Sequence, residues 1–264
     1  NRKDFLVNTF ILGVQKGGTS ALYDYLLKHP SCSGGISKEI HFFDENNRYQ
    51  KGKNRYHASF NQLNDVLIDA TPSYLYRKKV DVRIRSYNPN AKFIILLRDP
   101  VQRAFSAWNM FRQLNQSIPA KGVKNRNFND HLKKIYFSQT FPSFEEALEM
   151  ELHLMNNNID IEEPSLIRRG FYEEQLSRWF STFPRKNFFV GISEEFRNNK
   201  SEFVNQLSKF LNLKNLSSKG SILTDVHARQ YVDKIDPVCE QMLKKIYQDE
   251  NGKLSQMLDR KLPW

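Results

Sequence analysis

The sequence predicts an α/β fold: a central, mostly parallel sheet flanked by helices. Three observations predict it. Short apolar runs at residues 10–14, 66–68, 93–97 and 188–192 have the length of buried strands. Amphipathic stretches at 19–29, 101–114, 143–155, 171–183, 198–211 and 236–249 lie between and after them. The alternation of the two implies a parallel sheet covered on both sides. With 264 residues, 39 % of them hydrophobic, the chain is ample for one such domain over 1–264. No internal repeat or low-complexity tract interrupts it. Ligands of such sheets bind at the carboxyl ends of the strands, which directs attention to residues 15–20, 69–73, 98–99 and 193–195.

The first strand, with Phe10, Ile11, Leu12 and Val14, runs into Gly17 and Gly18, a turn in which the missing Cβ lets backbone approach a ligand. Thr19 or Ser20 then begins a helix with Leu22, Tyr25 and Leu26 inward. Free N–H groups at a helix start favour phosphate, and Lys16 adds a point charge beside them. The bland alternative is a plain strand-to-helix turn with a solvated lysine. In the nucleoside-triphosphate loop, G-x-x-x-x-G-K-[ST], the lysine adjoins the hydroxyl residue. Here Lys16 stands three residues before Thr19. That spacing argues against an ATPase or kinase loop and leaves room for another nucleotide carrying a phosphate-like group to be transferred.

Residues 37–45, "SKEIHFFDE", read as an extended segment, place Glu39 and His41 on one face with Phe43. An acid and an imidazole together could serve as a general base and its partner; the alternative is a surface strand with a buried Phe42. The strand at 66–68 leads to Asp69, which in a kinase or NTPase would hold Mg²⁺. The strand at 93–97 ends at Arg98, a planar fork suited to phosphate, or else a partner for Asp99 or another acid. Pro100 opens the next helix, Arg103 continues its basic side, and Ser106 lies eight residues after Arg98. The polar stretch 115–141, with Lys121, Lys124, Arg126, Lys133 and Lys134, is either a lid, an acceptor-binding insertion or a solvated loop. The helix at 171–183 buries Leu176, Trp179, Phe180 and Phe183, with Tyr172 at its start; Arg229 and Lys234 lie on a polar loop before the last helix.

Composition sets bounds. The net charge of +11 suits nucleotides, polyanions, anionic sugars or a membrane surface. Two cysteines make no disulfide framework. No apolar run reaches about 18 residues, so no transmembrane helix is expected, and no signal peptide is visible. The chain starts without Met, which admits a trimmed upstream segment. No cluster of metal ligands is present, so no metal is expected.

Together, "GVQKGGTSAL", "KEIHFFD", "LLRDPVQRAFSAW" and "HARQYVDKIDP" resemble the motifs of the nucleotide-dependent sulfotransferases, the group that includes the heparan sulfate 3-O- and N-sulfotransferases. The resemblance covers nearly the whole chain, from about Phe10 to the last helix. It implies a P-loop-like strand–turn–helix site for 3′-phosphoadenosine 5′-phosphosulfate (PAPS). Lys16 would meet the sulfate-bridging oxygen, with Gly17, Gly18, Thr19 and Ser20 around the 5′-phosphate. Arg98 and Ser106 would hold the 3′-phosphate; Tyr172 joins the cofactor side, and Arg229 lies on a loop closing over it. Glu39 matches the catalytic base, with His41 beside it, and Lys38, Asp44 and Ser73 fall on the acceptor side. The implied reaction moves a sulfuryl group in line from PAPS to a hydroxyl or amine of a small-molecule or glycan acceptor, a saccharide, neutral or anionic, being favoured, and leaves the bisphosphate product PAP. Lys16 and the helix-start N–H groups would stand where charge develops.

Two departures qualify this. Where the heparan enzymes carry a lysine before Thr/Ser-Pro, "DATPSYLY" has Ala70. The cysteine pair of those Golgi enzymes is absent between Ser221 and Tyr231, which favours a reducing compartment such as a bacterial cytoplasm over a Golgi lumen with a trimmed anchor. The rival readings are a P-loop kinase or NTPase, and a basic nucleic-acid binder suggested by charge alone; the aromatics read as core and no nucleic-acid motif is visible.

Overall fold

Five strands form one all-parallel sheet in the order β2-β3-β1-β4-β5. They are β1 (Thr9–Gly13), β2 (Cys32–Gly34), β3 (Val66–Asp69), β4 (Lys92–Leu97) and β5 (Phe188–Ile192). The structure is a computed structural model and describes residues 5–117, 140–159, 165–214 and 234–264. Arg229 and most of the stretch 115–141 lie outside the described residues.

The chain falls into two compact units. The first comprises Asn1–Arg98 and Glu174–Arg229, the second Asp99–Glu173 and Gln230–Trp264. The first holds the sheet with α1 (Thr19–Leu26), α2 (Asn46–Tyr49), α3 (Lys53–His57), α4 (Val80–Tyr87), most of α7 (Tyr172–Thr182), α8 (Ser193–Asn198) and α9 (Lys200–Leu211). The strands are buried along nearly their whole length because both faces are covered. Period-2 alternation sorts the side chains. Phe10, Phe93 and Phe188 stand in register and stack at 6.0 and 4.9 Å between ring centroids, with Trp179 of α7 against Phe93 at 5.2 Å. Ile11 and Ile94 face the other way, into a cluster with Leu22, Leu26, Phe203 and Leu207.

The second unit packs α5 (Pro100–Ser117), α6 (Phe144–Asn156) and α10 (Pro237–Leu258) around Phe105, Trp108, Phe144, Leu148, Leu243 and Tyr247. Its helix starts are explicit in the sequence. Ser143 and Glu146 close a capping box on α6; Asp236 accepts from the N–H groups of Val238 and Cys239, with Pro237 at the first position of α10. Buried Glu151 accepts hydrogen bonds from the backbone N–H groups of Leu166, Ile167 and Arg168, at 2.6, 2.9 and 3.0 Å.

The parallel α/β class stands as expected; several details differ. β2 is three residues of "CSG", too short for any alternation to register. The helix expected at 198–211 is α9, Lys200–Leu211, preceded by a separate short helix, α8, that ends at Asn198, and the last helix runs on to Leu258. Residues 37–45 are not extended: they form bends and a turn, His41 adopts φ 54°, and neighbouring Phe42 and Phe43 are both buried. Arg103 does not continue a basic face; it is fully buried and donates to the Leu166 carbonyl.

Candidate functional site

The turn after β1 is a backbone cradle. Gly17 cannot be replaced without strain, since a Cβ there would meet the Leu96 carbonyl oxygen at 2.5 Å. Lys16 and Gly18 take φ of 70° and 92°. Val14 N–H donates to Leu96 O at 3.1 Å and Gly17 N–H to Val14 O at 2.9 Å, which ties the turn to β4. Two side chains brace it further: Ser193 Oγ donates to Gly17 O at 2.8 Å, and Arg98 donates to Lys16 O at 2.9 Å. α1 then begins at Thr19, and no side chain caps it. Its first N–H groups, the positive end of the helix dipole and the Lys16 charge therefore belong to one turn.

Lys38 joins this cradle to the acid–imidazole pair. Its Nζ lies 3.4 Å from Thr19 Oγ1 and 3.0 Å from Glu39 Oε1. Glu39 Oε2 lies 3.4 Å from His41 Nε2. On the far side of the ring, His41 Nδ1 lies 2.9 Å from Asp44 Oδ2, which also accepts from Ser73 Oγ. The turn thus brings Glu39 and His41 together, while Phe43 packs away from them against Phe10, Tyr56 and Tyr74.

Electrostatics set the proton positions. Burial opposes the charge on Glu39, but hydrogen bonds to His41 and Lys38 and their charges outweigh it and hold the carboxyl at about 2. Burial would likewise lower His41; its two carboxylate partners, Asp44 and Glu39, override this and raise it to about 10. Burial pushes Asp44 up, yet hydrogen bonds to His41 and Ser73 and the charge of Arg77 bring it below its ordinary value. The two carboxylates on either side of the ring thus favour the imidazolium form of His41.

Sequence reasoning missed what holds this segment. Thr71 Oγ1 accepts the N–H groups of Ile40 and His41, at 3.1 and 3.5 Å, and Tyr74 OH those of Phe42 and Phe43, at 3.1 and 3.4 Å. On the carbonyl side, Arg48 donates to Ile40 O at 2.6 Å and Arg83 to Phe43 O at 2.7 Å. Asp69 lies beneath, fully buried, accepting from Thr71, Tyr56 and Tyr74 at 2.7, 2.9 and 3.0 Å. Burial raises it to about 6 against the pull of these three donors. Its carboxylate is engaged by hydroxyls and is not presented for Mg²⁺. The one available signal was the hydroxyl-rich "TPSY" directly after a strand's carboxyl end. Ala70, in the middle of this arrangement, is fully buried.

The remaining expected residues divide by unit. Arg98 belongs to the first. Ser106, on the second turn of α5, and Tyr172, the first residue of α7, belong to the second and are 3 % and 1 % exposed. Among the described residues no group of His, Cys, Asp and Glu could hold a metal ion, and no helix is long and apolar enough to cross a membrane. Cys32 and Cys239 are buried and free.

Residues 7–254 match the family model described as "Sulfotransferase domain". Human heparan sulfate glucosamine 3-O-sulfotransferase 5 is 26 % identical over 98 % of this chain and 74 % of its own length. Human heparan sulfate glucosamine 3-O-sulfotransferase 6 is 28 % identical over 82 % of this chain and 54 % of its own length. A sulfotransferase from Alicyclobacillus acidocaldarius superposes with a TM-score of 0.73 at 22 % identity, covering 98 % of each chain. A mouse sulfotransferase complexed with PAP superposes with a TM-score of 0.56 at 14 % identity, covering 96 % of this chain and 87 % of its own.

Proposed function

Because the chain belongs to the sulfotransferase domain family, we propose that it moves a sulfuryl group from PAPS to a hydroxyl or amine of a saccharide acceptor. The observation that carries this reading is Lys38, whose ammonium group reaches both Thr19 of the cradle and the carboxylate of Glu39. Anion site and candidate base are therefore neighbours within one unit. The family model spans both units, which supports treating 1–264 as one sulfotransferase domain.

The cradle fits a phosphosulfate. Gly17 lets the turn close against β4, where a Cβ would meet the Leu96 carbonyl oxygen, the start of α1 is uncapped by side chains, and Lys16 supplies charge. When bound, PAPS supplies an activated sulfuryl group and a nucleotide phosphate as leaving group. Lys16, Gly17, Gly18, Thr19 and Ser20 hold the 5′ end and stabilise charge growing on the oxygen that leaves. Arg98, Ser106, Tyr172 and Arg229 are assigned to the 3′-phosphoadenosine side. With PAPS bound, Glu39 would take the proton of the acceptor hydroxyl or amine as that group receives the sulfuryl group. His41 orients Glu39. Lys38, Asp44 and Ser73 are the acceptor-side residues, Asp44 and Ser73 acting through the imidazole. A glycan acceptor is supported by the names of the matched relatives, and the two free cysteines suit a reducing compartment.

The test pairs binding with transfer. At about 100 times its dissociation constant PAP should stabilise the protein by roughly 2.7 kcal/mol, and ATP–Mg²⁺ or an oligonucleotide should not. Radiolabelled PAPS offered with a panel of glycans, lipids and phenols should label a glycan. Stabilisation by ATP–Mg²⁺ with none by PAP would replace this reading with a kinase or NTPase.

A further inference from the structure

Four consecutive backbone N–H groups, those of residues 40–43, are received by two hydroxyls, Thr71 and Tyr74. A hydroxyl has one proton and two lone pairs. It accepts two N–H groups only if its own proton goes elsewhere. Both protons go to Asp69: Thr71 to Oδ1 and Tyr74 to Oδ2. Asp69, Thr71 and Tyr74 are each fully buried, so no bulk water stands in for a lost partner. Tyr56 of α3 adds a third hydroxyl to the carboxylate.

We propose that Asp69 is a positioning residue for the Glu39–His41 pair, acting through the hydroxyls of Thr71 and Tyr74. By taking their protons it turns their lone pairs toward the 40–43 backbone. That holds His41 at its φ of 54°, with its ring between Glu39 and Asp44. Glu39 itself is 45 % exposed and has no comparable anchor of its own among these contacts. Its direction is set by His41 and Lys38, and His41 is set by the clamp. A carboxylate is required in this place because it is acceptor-only. An amide would turn an N–H₂ either onto Thr71, which would lose its proton acceptor, or onto Tyr56 and Tyr74, which would both lose theirs.

The inference rests on Glu39 as the base of sulfuryl transfer, and the experiment separates the two. Wild type, Thr71→Val and Thr71→Ser are compared in transfer from labelled PAPS to a heparan sulfate chain, in PAP affinity, and in the NMR signals of the His41 ring. Valine keeps the shape of threonine without the hydroxyl; serine keeps the hydroxyl. The expected result for Thr71→Val is a fall in kcat of about 10²-fold, the scale set by small misplacements of reacting groups, with PAP affinity unchanged and the His41 signals moved. Thr71→Ser should recover most of the rate and the wild-type signals. Valine and serine variants of equal kcat would overturn the proposal. If Thr71→Val does not fold, Tyr74→Phe, which removes the other hydroxyl and keeps the ring, carries the same comparison against wild type. If wild type neither binds PAP nor transfers sulfuryl, the functional reading falls. The clamp is then judged on the His41 signals alone, and identical signals in the valine and serine variants would overturn it as well.

Discussion

The Nε2 of His41 lies 3.4 Å from Oε2 of Glu39, and the ring's other nitrogen is already engaged by Asp44 at 2.9 Å. One imidazole therefore serves two carboxylates. Its proton inventory decides how basic Glu39 can be, because an imidazolium alongside favours the ionised carboxylate and lowers its affinity for a proton. The roles of the two residues are thus separable by mutation.

Glu39→Gln keeps size and hydrogen bonding and removes basicity. It should lower kcat by about 10²–10⁴ and leave the dissociation constant of PAP near wild type. His41→Ala should cost less, since it loosens an orientation. The measurement is kcat with PAP affinity in both variants. An active Glu39→Gln protein beside an inactive His41→Ala protein would make His41 the base.

Lys16→Ala should abolish transfer and weaken PAPS binding, because it removes the cation of the cradle while the Gly17–Gly18 turn remains. Titration calorimetry with PAP and a transfer assay check this. Full activity would show that the turn does not hold the phosphosulfate.

Arg98→Ala has two separable consequences. As a ligand of the 3′-phosphate, Arg98 should favour PAPS over the analogue lacking that group by about 1.5–3 kcal/mol, and alanine should erase that preference. As a brace on the Lys16 carbonyl, it would instead support both nucleotides equally. Affinities for the pair in wild type and variant decide between the two; a preserved preference removes Arg98 from the 3′-phosphate.

Stability should depend on pH in a defined direction. His41 is raised from 6.5 to about 10, so its contribution is full below about 6.5 and is lost as pH rises through about 10. Glu39 is lowered from 4.5 to about 2, so its contribution is present above about 4.5 and is lost as pH falls through about 2. Asp44 is shifted in the same sense as Glu39. The cluster therefore stabilises most between about 4.5 and 6.5. The 45 % exposure of Glu39 lets solvent weaken its share. His41→Gln should flatten the alkaline limb of Tm against pH. Parallel alkaline limbs in wild type and variant would show that the imidazole is not the titrating group.

By itself the sequence determined the parallel α/β class, the cradle at 16–20, and the proximity of Glu39 and His41. Each is written locally: in apolar runs of strand length, in a glycine pair before a helix start, and in two residues one position apart. That proximity does not come from an extended segment; a turn achieves it, because Phe42 and Phe43 both enter the aromatic cluster. Only the tertiary structure decided what holds the turn. Ile40 and Thr71 are 31 residues apart, and Phe43 and Arg83 are 40 apart. Arg48, Tyr56 and Arg83 lie on α2, α3 and α4, helices that are not legible because α2 and α3 span four and five residues and α4, "VDVRIRSY", alternates apolar and polar residues instead of following a helical period. A hydrogen bond between a hydroxyl and a distant backbone N–H leaves no period in the sequence. It exists only once the sheet has set the end of β3 beside residues 40–43, and it is there that a buried carboxylate acquires its partners.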